Sequence, residues 1–380
     1  MNLISLVGLV TLLGIAVALS YNFKQIKLRL FLWGLSLQFI FALILLSDDH
    51  LSFTGMGILG LLLITYLFQK DDKELGGGIQ SVVILAGGGI AIGYGITFLG
   101  IYIGLLLIIL LLIMLLNSWL KWTQDYQRYI SALLVIVTIS YMIHHDITGQ
   151  YFFKTFSDKI AYFLSLSDYG AQFLFGNLAN GEHFFTAPNS SWPGFGFQFA
   201  FKVLPTIIFF GGFMSVLYYY GVMQKVIESI SHFMQWTIGT SGAETLSCSA
   251  NIFVGQTEAP LMIRPFIGKM TQSELMAVMV GGFATVAGGV LAIYVTWLTD
   301  IPGIAGHLLA ASVMSAPAAL VIAKIIYPET ESSETMGDLK IDVEQNSSNA
   351  MEALGNGATD GLKLAANVGA MLVAFISIVA

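Results

Sequence analysis

Five polar or charged side chains lie close together in one otherwise apolar part of the sequence, Cys248–Phe266, "CSANIFVGQTEAPLMIRPF". They offer two amides, a hydroxyl, a carboxylate and a guanidinium group: Asn251, Gln256, Thr257, Glu258 and Arg264. Such groups are costly in apolar surroundings unless they bind each other or a ligand. The stretch therefore predicts a binding site for a polar solute or an ion.

The residue types indicate two kinds of ligand. Gln256 can both donate and accept hydrogen bonds, and an ionised Glu258 accepts them. Together these side chains match the donor and acceptor edge of a heterocyclic base or a similar polar solute. Asn251, Thr257 and a freed backbone carbonyl such as that of Val254 supply hard oxygens, which suit a small monovalent cation such as sodium.

A structural interpretation of the same residues stays open. Glu258 could form only an ion pair with Arg264 or Lys269, without any ligand. The sequence "HHD" at 144–146 resembles a metal cluster, but histidines in a loop at a membrane surface are usually solvated. Cys248, the single cysteine, excludes an internal disulfide framework and is interpreted as a small buried residue.

The composition places these residues in a membrane protein. The chain has 380 residues, of which 56% are hydrophobic and 10% charged, and its mean hydropathy is +0.79. Soluble domains are nearer about 25% charged, and repeated apolar runs of about 20 residues are typical of transmembrane helices. The alternating pattern of a membrane β-barrel is absent. With a net charge of −7 and no basic patch, nucleic-acid binding is excluded.

The fold class is therefore an all-α polytopic membrane protein with about ten transmembrane helices. The first apolar run lacks a basic leader and a small-residue cleavage site, so it is a retained span and not a signal peptide. The predicted spans are 2–20, 28–46, 52–68, 79–97, 99–119, 129–143, 199–221, 275–298, 307–327 and 362 onward.

Loop charges predict the orientation of these spans. Lys24, Lys27 and Arg29 lie between the first two spans, so the positive-inside rule places that loop in the cytoplasm. Counting onward, 70–74, 121–128 and the acidic, partly mobile loop 328–360 face the cytoplasm, whereas 48–50 and 144–146 face outward. The stretch "YFFKTFSDKIAYFLSL" at 151–166 has helical periodicity and predicts an interfacial helix.

The polar stretch itself predicts a re-entrant helical hairpin. Gly255 and Pro260 disfavour a continuous helix, which favours a helix to about Val254, an unwound tip and a second helix. Non-helical backbone at membrane depth is tolerated only inside protein or beside a water-filled cavity, and broken helices are the usual binding elements of secondary transporters. The following span contains Thr285 between paired glycines, as a further oxygen ligand or as mere helix packing.

Several long segments resemble the concentrative nucleoside transporters, the sodium- or proton-coupled nucleoside symporters. The first two spans share this resemblance. The other segments are "SANIFVGQTEAPLMIRPF" at 249–266, "KVLPTIIFFGGFMSVLYYYGVMQ" at 202–224, "MTQSELMAVMVGGFATVAGGVLAIY" at 270–294, "SAPAALVIAKIIYPET" at 315–330 and "GLKLAANVGAMLVAFI" at 361–376.

The resemblance implies roles for single residues and for the whole chain. The hairpin-tip residues that contact the nucleobase are Gln256, Thr257 and Glu258. Apolar contacts around the substrate come from Val290 and Leu364. The sodium shell consists of Asn251, Val254, Thr257, Thr285 and Val286, with Val254 and Val286 providing backbone carbonyls. Members of the family are typically homotrimers built on inverted repeats, in which a transport domain moves against a fixed scaffold, an elevator motion. For this chain we expect the plasma membrane, as a multi-pass protein of the bacterial inner membrane. No organic cofactor is implied, and sodium is the coupling ion, with a proton as the alternative.

The sequence departs from the family pattern in two places. About four extra spans at 51–143 have no recognised counterpart in compact bacterial members. The family's second hairpin and later spans, which carry the ribose-binding residues, do not follow Ala380, so a truncated sequence, a split gene whose second chain supplies that half, and a degraded gene all stay open. From the predicted spans and the family resemblance, we predict domain boundaries at 1–50, 51–146, 147–240, 241–300, 301–360 and 361–380.

Two hypotheses of different classes follow. The first is a sodium-coupled nucleoside symporter, or the N-terminal portion of one, with nucleosides and membrane lipid as partners; alone, the 380 residues are expected to give no concentrative uptake. The second is a non-transporting membrane scaffold or assembly protein derived from the family's first half. No catalytic triad, metal-ligand spacing or phosphate loop favours an enzyme.

Overall fold

The structure, a computed structural model, describes residues 3–47, 49–69, 109–110, 113, 124–180, 199–256, 259–298, 301, 303–336 and 347–380. These residues form helices and no β-strand, which confirms the predicted all-α class. The α-helices are α1 Leu3–Ala18, α2 Leu28–Leu46, α3 His50–Gln69, α4 Gln124–His144, α5 Gly149–Ser165, α6 Ser167–Phe175, α7 Phe199–Lys202, α8 Leu204–Tyr219, α9 Val222–Ile238, α10 Gly242–Ala250, α11 Gln272–Ala284, α12 Gly288–Trp297, α13 Ile304–Ile326 and α14 Ala350–Val379. Three 3₁₀ helices are Phe23–Gln25, Gly176–Ala179 and Ala259–Lys269.

Six helical segments of the described chain are long and apolar enough to cross a membrane. They are Leu28–Leu46, His50–Phe68, Phe199–Tyr219, Gln272–Trp297, Ile304–Ile326 and Ala350–Val379. Each overlaps a predicted span, although Ala350–Val379 begins well before the predicted start at 362. Helix α1 is shorter in its apolar part, Val7–Ala18. The predicted spans 79–97 and 99–119 lie almost entirely outside the described residues, so the count of about ten stays a prediction.

The last helix begins earlier than the sequence indicated. Helix α14 starts at Ala350, within the segment 328–360 that was expected to be a loop. Its cap is Asn349, whose side-chain oxygen accepts a hydrogen bond of 2.9 Å from the Glu352 backbone N–H. An asparagine cap satisfies one of the backbone donors that a helix leaves free at its N-terminus. The expected loop is therefore wrong for residues 350–360.

The polar stretch has a helix, a turn and a second helix, with two differences from expectation. Helix α10 ends at Ala250, earlier than the predicted end near Val254, and the second arm, Ala259–Lys269, is a 3₁₀ helix. Pro265 favours this difference, because in the middle of the arm it lacks the backbone N–H that an α-helical ladder needs, whereas Pro260 lies in the first turn, where proline is tolerated.

The chain divides into two compact units. The first comprises Met1–Phe31, Lys154–Gln235 and Thr240–Ala380, and it contains the polar stretch. The second comprises Leu32–Phe153 and Trp236–Gly239. The residue range of the second unit includes 51–146, the segment that the sequence indicated as an insertion.

Within the first unit, α8 and α14 pack with their backbones almost in contact. A side-chain carbon placed at Gly211 would lie 2.8 Å from the Gly357 carbonyl oxygen. One placed at Gly361 would lie 2.9 Å from the Ile207 carbonyl oxygen. The small-xxx-small spacing of Gly357 and Gly361 is the pattern that allows such close packing between membrane helices.

Within the second unit, Ser52 holds three segments together. Its buried hydroxyl donates a hydrogen bond of 3.1 Å to the Ile44 carbonyl and accepts one of 2.8 Å from the Gly149 backbone N–H. The side chain thus joins the end of α2, the start of α3 and the start of α5 within residues 44–149.

Candidate functional site

The first arm of the polar stretch, α10, is buried along its whole length. Ser241 precedes the helix, and its backbone N–H donates a hydrogen bond of 2.8 Å to the Glu244 carboxylate. This S-x-x-E capping box fixes where the helix begins. Beyond Ala250 the chain continues as a turn from Asn251 to Val254.

Asn251 closes α10 and carries a buried oxygen that needs a partner. Its side-chain amide N–H donates 3.2 Å to the Ser247 carbonyl, and the residue is 0% exposed. Its side-chain oxygen has no hydrogen-bond partner among the described residues, and neither has the buried Ser247 hydroxyl. Because buried oxygens in folded proteins almost always have a partner, this oxygen is available to a water, an ion or a ligand.

A break between α11 and α12 lies beside this turn. Thr285 and Ala287 have extended backbone angles, with φ −107 and ψ 158 at Thr285 and φ −56 and ψ 141 at Ala287. A helix interrupted here leaves carbonyl oxygens without intrahelical donors. The Thr285 hydroxyl donates a hydrogen bond of 2.9 Å to the Gly281 carbonyl, so both lone pairs of its oxygen remain available. The sequence predicted one uninterrupted span at 275–298 and missed the break, although the flanking glycine pairs were a signal for it.

The turn after α10 and the break after α11 contact each other directly. The Gly288 backbone N–H donates a hydrogen bond of 3.2 Å to the Phe253 carbonyl. A side-chain carbon at Gly281 would lie 3.7 Å from the Asn251 amide nitrogen. The structure thus brings together the segments that carry Asn251 and Val254 with those that carry Thr285 and Val286.

The predicted substrate contacts are described in part. Gln256 is exposed, and its Cβ would lie 3.1 Å from a side-chain carbon at Gly282. Val290 is half-buried, and its neighbour Gly289 lies beside Leu364, which is 38% exposed. Thr257 and Glu258 lie outside the described residues.

The ion pair of Glu258 and the segment "HHD" at 144–146 were the two structural alternatives to a binding site. Arg264 and Lys269 are exposed in the second arm, and since Glu258 is not described, an ion pair with either stays untested. The segment His144–Asp146 is exposed, with the His145 ring 4.4 Å from the Tyr141 ring. Among the described residues, no group of three histidine, cysteine or acidic side chains is arranged to hold a metal ion.

The structure also contains a buried charged cluster that the sequence analysis missed. The Lys324 ammonium on α13 lies 2.7 Å from the Glu244 carboxylate and 3.2 Å from that of Glu329. It also donates 2.9 Å to the Ser273 hydroxyl. We call the residues Glu244, Ser273, Glu274, Lys324 and Glu329 the base cluster.

Glu274 completes the base cluster at the start of α11. Its carboxylate accepts hydrogen bonds from the Thr271 backbone N–H at 2.8 Å, the Ser333 hydroxyl at 2.5 Å and the Thr335 hydroxyl at 2.6 Å. Thr271 and Glu274 form a second S/T-x-x-E capping box. The sequence therefore contained a signal for both buried glutamates, since each is the glutamate of an S/T-x-x-E capping box and the third residue of its helix.

Comparison with known proteins identifies the family of the chain. The model "Na+ dependent nucleoside transporter N-terminus" matches residues 7–49, "Nucleoside recognition" matches 200–299, and "Na+ dependent nucleoside transporter C-terminus" matches 307–380. The chain is 45% identical over 229 residues to the sodium/nucleoside cotransporter 2 of Rattus norvegicus, covering 60% of this chain and 32% of that protein. The chain belongs to the concentrative nucleoside transporter family.

This chain is also similar to two bacterial proteins. It is 43% identical over 251 residues to an uncharacterized transporter of Haemophilus influenzae, covering 66% of this chain and 57% of that protein. It is 41% identical over 256 residues to the nucleoside permease NupC of Helicobacter pylori, covering 67% and 58%.

A solved structure, CNTnw in an inward-facing substrate-bound state, has a TM-score of 0.62 and 32% identity to this chain. That match covers 98% of this chain and 62% of the solved chain. The chain therefore spans less than two thirds of the length of each of these proteins. The family consists of transporters and not of enzymes.

Proposed function

We propose that this chain forms the sodium-binding and nucleobase-recognising part of a sodium-coupled nucleoside symporter. The observation that carries the proposal is the Asn251 side-chain oxygen, which is fully buried and has no partner among the described residues. It lies at the end of one helix and beside the break in another. In secondary transporters, such helix ends and unwound carbonyls coordinate the coupling ion.

The sodium shell would use oxygens from both segments. Asn251 and Thr285 provide side-chain oxygens, and Val254 and Val286 provide carbonyls beside the two helix ends. Thr257 in the tip would complete the set. Support comes from the Gly288–Phe253 hydrogen bond of 3.2 Å, which joins the two segments, and from the sodium-dependent transporters among the relatives.

Nucleoside recognition would use the residues that follow in the same tip. Gln256 and Glu258 would bind the polar edge of the base, while Val290 and Leu364 would contact its apolar face. The exposed position of Gln256 beside Gly282 supports access for a solute.

Coupling between ion and substrate follows from their shared turn. Asn251 and Val254 would bind sodium, and Gln256 lies two residues beyond Val254. Sodium would order the turn and thereby fix the side chain that meets the nucleobase. Because coupling free energy is reciprocal, the nucleoside would raise sodium affinity by the same factor.

The assembly is proposed from the family. Three copies would form a homotrimer in the bacterial inner membrane, and each transport domain would alternate access by an elevator motion, with a ribose-binding half supplied on a separate chain if this chain does not carry one. Proton coupling is the alternative to sodium.

The test is radiolabelled uridine and adenosine uptake into proteoliposomes. The chain would be used alone and fused to the C-terminal half of a full-length relative, under a sodium gradient or a matched choline gradient with and without a pH gradient. Sodium-driven accumulation is expected in the fusion. Accumulation driven only by the pH gradient would show that the coupling ion is a proton and not sodium. No accumulation by a folded fusion would favour the hypothesis of a non-transporting scaffold.

A further inference from the structure

Two consecutive backbone carbonyls in the turn after α10 accept hydrogen bonds from other elements. The Ile252 carbonyl accepts a hydrogen bond of 3.0 Å from the Ser312 hydroxyl on α13. The Phe253 carbonyl accepts a hydrogen bond of 3.2 Å from the backbone N–H of Gly288, the first residue of α12. Ser312 is 0% exposed. Both carbonyls therefore have fixed directions.

These bonds lie between the predicted sodium ligands. A helix leaves its last carbonyls without partners, and buried ones require donors from elsewhere. Here the protein supplies donors for Ile252 and Phe253 but none among the described residues for the Asn251 side-chain oxygen. Fixing the two middle carbonyls determines which oxygens of the turn stay free for an ion.

Ser312 acts from the same helix that anchors the other end of α10. Lys324 of α13 lies 2.7 Å from Glu244, near the start of α10, and Ser312 bonds Ile252, just past its end. Helices α10 and α13 therefore run antiparallel, and α13 holds α10 at both ends. The base cluster secures the start of the helix, whereas Ser312 contacts the ion-binding turn.

We propose that Ser312 is a positioning residue for sodium, which sets the orientation of the Asn251–Val254 turn through the Ile252 carbonyl. This inference rests on the proposed sodium site. The Ser312 hydroxyl does not itself ligate the ion, so its removal should weaken sodium binding without abolishing it. Ser312→Ala leaves the Ile252 carbonyl unpaired, and we expect the sodium concentration at half-saturation to rise about threefold to tenfold.

The experiment measures sodium binding by the purified full chain through thermal unfolding. A ligand that binds only the folded protein raises its unfolding temperature with concentration. Unfolding would be followed in detergent over a range of sodium chloride, with choline chloride holding ionic strength constant. The matched control is Ser315→Ala on the same helix, because the Ser315 hydroxyl bonds only the Ala311 carbonyl of its own helix, at 2.6 Å. Ser312→Thr, which keeps the hydroxyl, should restore the parental curve.

The outcomes separate this inference from the proposed function. If the parent chain shows no sodium-specific stabilisation, the proposed sodium site fails and this inference fails with it. If the parent responds but Ser312→Ala gives the parental sodium curve, only the positioning role is overturned. If Ser312→Ala does not fold, Ser312→Cys replaces it. Loss of folding in both variants assigns Ser312 a purely structural role and rejects the inference.

Discussion

At the scale of single residues, the strongest evidence for an ion is a missing hydrogen bond. The Asn251 side-chain oxygen is buried without a donor among the described residues, and the Thr285 hydroxyl donates its hydrogen bond to the Gly281 carbonyl. Each oxygen can therefore only accept. Two acceptors beside adjacent helix ends attract a cation, since like acceptors cannot satisfy each other.

Removing either oxygen should weaken sodium dependence. Asn251→Ala and Thr285→Val each take one ligand from a site that must replace the hydration shell of the ion. We expect the sodium concentration at half-maximal uptake to rise about tenfold or more, with the accepted nucleosides unchanged. The measurement is uridine uptake against sodium concentration in the fusion with a relative's C-terminal half.

A matched control exists for Thr285→Val. Thr296 on α12 is also half-buried, and its hydroxyl donates 2.9 Å to the Ala292 carbonyl, the same bond that Thr285 makes to Gly281. Thr296→Val should leave the sodium curve unchanged. A parental sodium curve for both Asn251→Ala and Thr285→Val would show that these oxygens do not bind the ion.

The tip residues should control the substrate. Glu258→Ala should abolish or nearly abolish uptake, and Gln256→Ala should change which nucleosides are accepted. A lost partner in a desolvated site leaves the other group unsatisfied at about 1–3 kcal/mol, roughly one to two orders of magnitude in affinity. Uptake of uridine and adenosine is the measurement, with expression and oligomeric state recorded beside it.

A structural ion pair between Glu258 and Arg264 leads to a different result. Loss of folded protein would then be seen for Glu258→Ala, partly rescued in Glu258→Ala/Arg264→Ala. Normal transport by a well-folded Glu258→Ala protein would refute the substrate role.

At the scale of helices, the sequence predicted positions better than ends. Apolar runs located the spans because membrane helices need about 20 apolar residues. The end of α10, the 3₁₀ arm and the break at Thr285–Ala287 depend on local donors, prolines and close glycine contacts instead. A side-chain carbon at Gly288 would overlap the Phe253 carbonyl and the Phe210 ring. The pairing that makes Gly288 necessary is not visible in the sequence alone.

The base cluster should dominate the stability of the first unit. The Lys324 and Glu244 side chains are 6% and 1% exposed, so Lys324→Met leaves a buried carboxylate uncompensated. Breaking a buried pair in this way typically costs about 3–5 kcal/mol, whereas replacing both charges is often neutral. We expect a marked fall in the unfolding temperature for Lys324→Met and substantial recovery in Lys324→Met/Glu244→Gln.

The control for this prediction uses the same substitution at an exposed pair. Lys363 and Asp360 lie 3.0 Å apart and are 70% and 74% exposed, and exposed pairs contribute little to stability. Lys363→Met should leave the unfolding temperature nearly unchanged. Equal effects of the two lysine variants would mean that the base cluster is not a buried, stabilising network.

At the scale of the whole molecule, the sequence predicted the family, but it indicates no role for the predicted insertion at 51–146. The motifs around the hairpin identified the family, and the matched models confirm it. The predicted insertion at 51–146 falls within the unit Leu32–Phe153 with Trp236–Gly239. Hydropathy predicts spans in this segment without indicating a role. The orientation of the chain in the membrane also stays a prediction, because it depends on loop charges and not on packing.

The orientation can be tested because the single cysteine, Cys248, is buried. A membrane-impermeant maleimide applied to intact cells should therefore leave the parent chain unlabelled. His144 is exposed in a segment predicted to face outward, and Glu331 is exposed in one predicted to face the cytoplasm. By the positive-inside rule, His144→Cys should be labelled in intact cells, and Glu331→Cys only after the cells are permeabilised. Labelling of Glu331→Cys from outside would reverse the predicted orientation of α13, and with it the side from which the predicted re-entrant hairpin would enter the membrane.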